Sequence, residues 1–172
     1  MRKILPIFVS VFFASCAQAN FSDLYTSVNA GGSYFTNLSS NGESFHGFSG
    51  PALSIFLGAP ANQYFAPELA LEYDRASTFG SAVLAGLDIK LMAPVKQDFL
   101  LFIKAGAGLG EITTKNGGTN TEDQAVTLFG AGAGYRFLPL WMGTVEFNGA
   151  YFDSTKKVIG GVTLGITRFW QW

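Results

Sequence analysis

Few residues in this sequence could do chemistry. The single histidine, His46, stands between Ser44 and Ser49, and Asp153-Ser154 lies toward the other end of the chain. Serine, histidine and aspartate are the residue types of a nucleophilic hydrolase. There the imidazole takes the hydroxyl proton and the carboxylate orients the imidazole. Such a set is recognised by geometry rather than by the presence of its members, and a lone histidine in a polar stretch is most often simply solvated. One histidine and one cysteine, Cys16, cannot supply the ligands of a zinc site. Glu122-Asp123, with Glu111 nearby, could touch a divalent cation, but such a pair more often solvates a loop. Gly106-Ala107-Gly108-Leu109-Gly110 and Gly130-Ala131-Gly132-Ala133-Gly134 invite a phosphate-loop reading. Neither ends in Gly-Lys-Ser/Thr or opens a helix. No catalytic, cofactor-binding or metal-binding residue is therefore assigned, and neither enzyme activity nor a cofactor is expected.

The remaining charges carry a pattern. Glu68, Glu72, Asp88, Lys90, Lys104, Arg136 and Glu146 each sit between two apolar neighbours. In a strand, alternate residues face opposite sides. Leu69, Leu71 and Tyr73 then oppose Glu68, Glu72 and Asp74. Val83, Ala85, Leu87, Ile89 and Leu91 oppose Gly86, Asp88, Lys90 and Met92. Leu101, Ile103, Ala105, Ala107 and Leu109 oppose Phe102, Lys104, Gly106 and Gly108. The same period runs through Leu24 to Tyr34, Ala52 to Gly58, Phe129 to Phe137, Thr144 to Tyr151 and Gly161 to Trp172. This makes about eight strands of about ten residues, apolar on one face and small, polar or charged on the other. Arg168 is the misfit on the apolar face. Near the chain end its long side chain can snorkel to a polar boundary.

Composition agrees with strands rather than helices. Charged residues are 13% of the 172, against ~25% in soluble domains. A membrane helix needs ~20 consecutive apolar residues, and after residue 20 Gly, Ser, Thr, Asn or a charge cuts every apolar stretch. The 21 glycines disfavour helix interiors.

Residues 1–19 read as an export signal. Arg2 and Lys3 are its basic start, Ile4 to Ala14 its apolar stretch, and Ala17-Gln18-Ala19 its small-x-small site, with cleavage between Ala19 and Asn20. Phe13-Ala14-Ser15-Cys16 leaves an alternative, lipoprotein processing with acylation at Cys16. Without Arg2 and Lys3, nine basic residues face 12 acidic ones, a net charge of −3. No basic patch exists, so a nucleic-acid partner is not expected.

The expected connectors also alternate. Ala59 to Gln63, Pro94 to Asp98 and Leu138 to Leu140 are short. Thr36 to His46, Ala76 to Gly80, Thr113 to Gln124 and Asp153 to Lys157 stand opposite them, two of these long and polar. Tyr64, Phe65, Phe99, Phe137, Trp141, Trp170 and Trp172 gather at the short-turn ends. Tyr34, Phe48, Tyr73, Phe79, Tyr151 and Phe152 gather at the others. Short turns opposite long loops, with two aromatic girdles, are the plan of a transmembrane β-barrel. A soluble barrel such as a lipocalin would bury its apolar face, whereas here the small and polar set is the one that fits a narrow lumen.

Specific segments sharpen this. Pro67-Glu68-Leu69-Ala70-Leu71-Glu72-Tyr73, Lys104-Ala105-Gly106-Ala107-Gly108 and the terminal strand Val162 to Trp172 resemble the eight-stranded outer-membrane barrels of the OmpA transmembrane domain, OmpX and opacity-protein group. The resemblance covers the whole chain after the signal. It implies an all-β fold, a closed eight-stranded antiparallel up-and-down transmembrane barrel over residues 20–172. It also implies a place in the Gram-negative outer membrane and contact with its lipids and lipopolysaccharide. In that family an aromatic end to the last strand is read by the barrel-assembly machinery, a role that falls here to Trp170 and Trp172. A monomer is expected, with no second domain after Trp172.

Fold does not give function. The inward charges Glu68, Glu72, Asp88, Lys90, Lys104, Arg136 and Glu146 must pair, because an unpaired buried ion is very costly. They form either a salt-bridge plug or the re-pairing gate of a narrow pore for ions or small solutes. The leading reading is a structural or surface-contact protein, with adhesion or host contact through the outer loops. The alternatives are the pore and a lipid A-modifying enzyme built around His46.

Overall fold

The computed structural model describes residues 23–40, 43–76, 80–115, 119–153 and 156–171. Residues 1–22 and Trp172 lie outside them, and with them the signal segment, Cys16, Ala19 and Asn20.

The strands are β1 (Asp23–Ser40), β2 (Glu43–Gly58), β3 (Phe65–Ala76), β4 (Gly80–Lys96), β5 (Phe99–Lys115), β6 (Thr119–Leu138), β7 (Trp141–Phe152) and β8 (Lys157–Gln171). Each pairs antiparallel with the next, and β1 pairs with β8, so the eight-stranded sheet closes. Closure leaves no unpaired edge, the requirement for backbone surrounded by hydrocarbon. Where the ladder slips, proline helps to explain it. Pro51 pairs with Gly32 just before the shift on β1, and Pro94 precedes the shift on β4. Proline lacks the N–H that a regular ladder needs.

The faces fall as the alternation predicts. Val28, Ile55, Leu71, Val83, Ile89, Ile103 and Leu164 point outward, and Leu164 is 66% exposed. Inward stand Ser27, Asn29, Ser54, Glu68, Asp88, Lys90, Lys104, Glu146 and Thr163, all buried. Gly130 lies across from Lys104 in register, and a Cβ there would sit 3.6 Å from Lys104 Cε and 2.9 Å from Asn148 Oδ1. The missing side chain makes room for Asn148 and for the Phe147 carbonyl, 2.8 Å from that Cβ position, while Lys104 would only be brought into ordinary contact. Gly165 is stricter, since a methyl would fall onto Asn29 Oδ1.

Two expectations need correction. The long polar loops are mostly strand. Thr36 to His46 largely pairs with itself, as in Leu38 with Phe45 and Ser40 with Glu43. Thr113 to Gln124 does the same, as in Thr113 with Thr121 and Lys115 with Thr119. β6 consequently runs 20 residues, about twice the ~9–11 that cross a membrane. The polarity alternation stops there because no lipid demands an apolar face, yet the backbone still gains by pairing. Second, Phe152 does not belong to an outer girdle; it is fully buried inside the barrel. Arg168 faces outward as expected, with its guanidinium 4.2 Å from the Trp170 ring centroid and 5.3 Å from that of Trp141. Trp170 is held in turn by Nε1 donating to Thr26 Oγ1 at 3.2 Å.

Candidate functional site

The lumen is stacked in layers. The middle layer is ionic. Glu68 on β3 receives Lys90 of β4 at 3.0 Å on Oε1 and Lys104 of β5 at 3.4 Å on Oε2. Lys104 also reaches Glu146 Oε2 of β7 at 2.8 Å. The Tyr25 hydroxyl of β1 donates to Glu68 Oε1, and Asn148 Nδ2 donates to Glu146 Oε2 at 3.3 Å. Rings complete the cage. Lys104 Nζ lies 3.5 Å from the Phe56 ring centroid and Lys90 Nζ 4.2 Å from that of Phe102. All four ionic side chains are at most 2% exposed. Charges so far from water need such pairing, although Glu68 Oε2 and Glu146 Oε1 have no hydrogen-bond partner among the described residues. A neutral chain continues around the wall. Thr167 Oγ1 donates to Ser27 Oγ at 3.0 Å, Ser27 Oγ to Asn29 Oδ1 at 2.9 Å, and Thr144 Oγ1 to Asn29 Oδ1 at 3.4 Å.

Four of the seven charges assigned to the lumen from sequence thus meet: Glu68, Lys90, Lys104 and Glu146. Asp88 pairs in register with Glu68 and is buried beside them, but its Oδ1 has no hydrogen-bond partner among the described residues. Glu72 also faces inward, two strand periods above Glu68 and opposite Ser54. Arg136 stands apart and corrects the expectation. It faces the lumen by parity but is exposed at the short-turn end, with its guanidinium 4.9 Å from the Phe169 ring centroid. Its place near the end of β6, beyond Gly130, Gly132 and Gly134, leaves it below the ionic layer.

Toward the long-hairpin end lies an apolar layer. Phe35, Ala82, Leu84, Ile112, Val126, Leu128, Ala150, Phe152 and Ile159 form one buried cluster. Sequence reasoning missed it, although apolar doublets such as Val83-Leu84, Leu128-Phe129 and Tyr151-Phe152 signal it: both faces are apolar there. It also passed over Tyr25, which shares parity with Ser27 and Asn29.

Toward the short-turn end the lumen opens into a cup of about 710 Å³. Tyr25, Lys90, Met92, Phe99, Arg136 and Phe169 are among its lining residues.

The hydrolase set does not assemble from the described residues. His46 lies on β2 and Asp153 follows β7, so β8 and β1 stand between them. Asp153 is exposed and bonded to Lys156 Nζ at 2.8 Å, while Ser154 lies outside the described residues. Among the described residues no group of three or more His, Cys, Asp or Glu is placed to hold a metal ion.

A family model described as an outer membrane protein beta-barrel domain matches residues 5–167. The chain belongs to this family. It is therefore an outer-membrane β-barrel protein of a Gram-negative cell. Solved structures share the fold at low identity. The chain is similar to Neisserial surface protein A, with a TM-score of 0.68 and 14% identity over 84% of this chain and 96% of that one. It is similar to the N-terminal barrel of Pseudomonas aeruginosa OprF, with 0.59 and 15% over 83% and 96%. It is also similar to Ail, the attachment invasion locus protein of Yersinia pestis in complex with the heparin analogue sucrose octasulfate, with 0.60 and 12% over 86% and 98%. No curated protein matches the chain. In the outer-membrane frame the short turns face the periplasm, so the cup opens there and the apolar layer lies toward the outside.

Proposed function

We propose that this outer-membrane barrel is a closed scaffold that works through its outer hairpins, by contact with a surface partner, and neither conducts nor catalyses. The observation that carries the reading is the double seal of the lumen. An ion or solute would have to part the Glu68–Lys104–Glu146 bridge and then an apolar layer holding Phe35, Leu128 and Phe152. Re-pairing Lys104 alone opens only the first, which weighs against the gated pore. The separation of His46 from Asp153 weighs against the lipid A enzyme. The paired extensions of β1–β2 and β5–β6 form two-stranded ribbons beyond the membrane, rich in Ser, Thr, Asn and Gly. Ail is described as an attachment protein, and its sulfated ligand is polyanionic. Here Arg75, Lys115, Lys156 and Lys157 on the outer segments are matched by Glu43, Glu111, Glu122, Asp123 and Asp153. The partner of these hairpins is accordingly a neutral or weakly charged surface, read through hydroxyl and amide groups.

The reading includes the chain's route. Residues 1–19 are removed before Asn20, and Trp170 with Trp172 presents the last strand to the assembly machinery. Intact mass of the purified barrel tests the first, and separates it from acylation at Cys16. Planar-bilayer recording tests the seal, with no stable conductance steps expected. Attachment of bacteria to epithelial cells and matrix proteins tests the hairpins. Replacing residues 36–46 with a Gly-Ser turn should lower attachment while the barrel still resists SDS. Steady steps in the bilayer, or attachment indifferent to both hairpins, would remove the reading.

A further inference from the structure

The periplasmic cup is built differently from the layers above it. Lys90 forms part of its lining, and its charge is matched by Glu68 at 3.0 Å. Arg136 and Lys96, both exposed, line it together with Asp98. Neither Arg136 nor Lys96 has an ion-pair partner among the described residues. Arg136 rests near the Phe169 ring instead, 4.9 Å from its centroid. Packing against a ring uses the guanidinium plane and leaves its N–H edge for a carboxylate, which it can grip with two parallel bonds. The walls carry Phe99, Leu100, Met142 and Phe169. The cavity of about 710 Å³ lies within the roughly 300–1,000 Å³ usual for small-molecule sites. An apolar wall with a few convergent polar groups is the usual make-up of such a site.

We propose that this cup binds a small organic anion from the periplasm, a carboxylate on a compact apolar or aromatic body. Arg136 takes the carboxylate, Lys96 adds attraction at the mouth, and Phe99, Phe169 and Met142 receive the apolar body. Because the ionic layer closes the lumen above Lys90, the ligand enters and leaves by the same mouth. The proposal is independent of what the outer hairpins contact.

A trifluoromethyl benzoate followed by fluorine NMR, with the barrel in lipid nanodiscs, is the probe. The matching benzyl alcohol is the neutral control. Saturable broadening is expected with the acid, displaced by unlabelled benzoate. Arg136→Gln weakens it about tenfold or more, as loss of a charge-assisted pair should, and the alcohol binds weaker by a similar factor. Lys96→Gln, a milder change at the mouth, weakens it about threefold. Arg168→Gln removes a cation from the lipid-facing wall and leaves binding within about twofold, so attraction to the bilayer surface is distinguished from the cup. SDS-resistant mobility shows that each variant is folded. Unchanged affinity in folded Arg136→Gln, equal binding of acid and alcohol, or no saturable component overturns the proposal.

Discussion

The two ends of this lumen are built on opposite principles. The outer half is filled by aliphatic and aromatic side chains, with Phe35, Phe152 and Ile159 at most 1% exposed. The periplasmic end is an open cup rimmed by Arg136 and Lys96. Between them sits the ionic layer, which has the burial of the first and the chemistry of the second. The contrast teaches that inward-facing is not one environment in a small barrel. Depth along the axis decides whether an inward residue packs, pairs or meets water.

Substitutions can break or sharpen that contrast. The largest effect is expected in the ionic layer. Lys104→Ala leaves Glu68 with one cation fewer and Glu146 with none of its ion pairs. Breaking a buried pair in this way costs about 3–5 kcal/mol, to be read as a lower urea midpoint for unfolding from lipid vesicles. Adding Glu146→Gln to it should restore part of the loss, because a buried charge is then removed. Next comes the apolar layer. Leu128→Ala should cost about 2–4 kcal/mol by leaving a cavity, and the variant should still show no conductance, because the ionic layer remains closed. Tyr25→Phe removes a hydroxyl bonded to Glu68 and should cost about 1.5–3 kcal/mol. The smallest effect belongs to the cup. Arg136→Gln should change stability by less than about 0.5 kcal/mol, as an exposed substitution. A loss there as large as that of Lys104→Ala would erase the distinction between mouth and middle.

Much of the fold was legible because lipid imposes a strict rule on the outer face. Leu69, Leu71 and Ile103 had to be apolar, and their partners in alternation could then be placed inside. Glu68, Lys90, Lys104 and Glu146 were found by parity alone. The rule weakens wherever lipid is absent or both faces are apolar. Above the membrane Thr113 to Gln124 lost its alternation and read as a loop, though its backbone still pairs. In the outer half Leu84 and Leu128 have the same chemistry as their outward neighbours, so the apolar layer was invisible as a separate feature. Phe152 was assigned to the girdle for the same reason. Arg136 had the right parity and the wrong depth, since parity carries no information about position along the axis.

The ionic layer also bears on how the barrel is made. Its members come from β1, β3, β4, β5 and β7. Lys104 and Glu146 are 42 residues apart, and Thr144 meets Asn29 across 115. An open sheet of neighbouring strands can satisfy only Glu68 with Lys90 and Lys104. Glu146 waits for the sheet to curl, and the Asn29 chain waits for β8 to find β1. A half-curled sheet therefore leaves Glu146 without its lysine, and curling that brings β7 toward β5 supplies it. The same layer that fills the middle of the lumen thus also favours closure, because its contacts are complete only when all eight strands are in place.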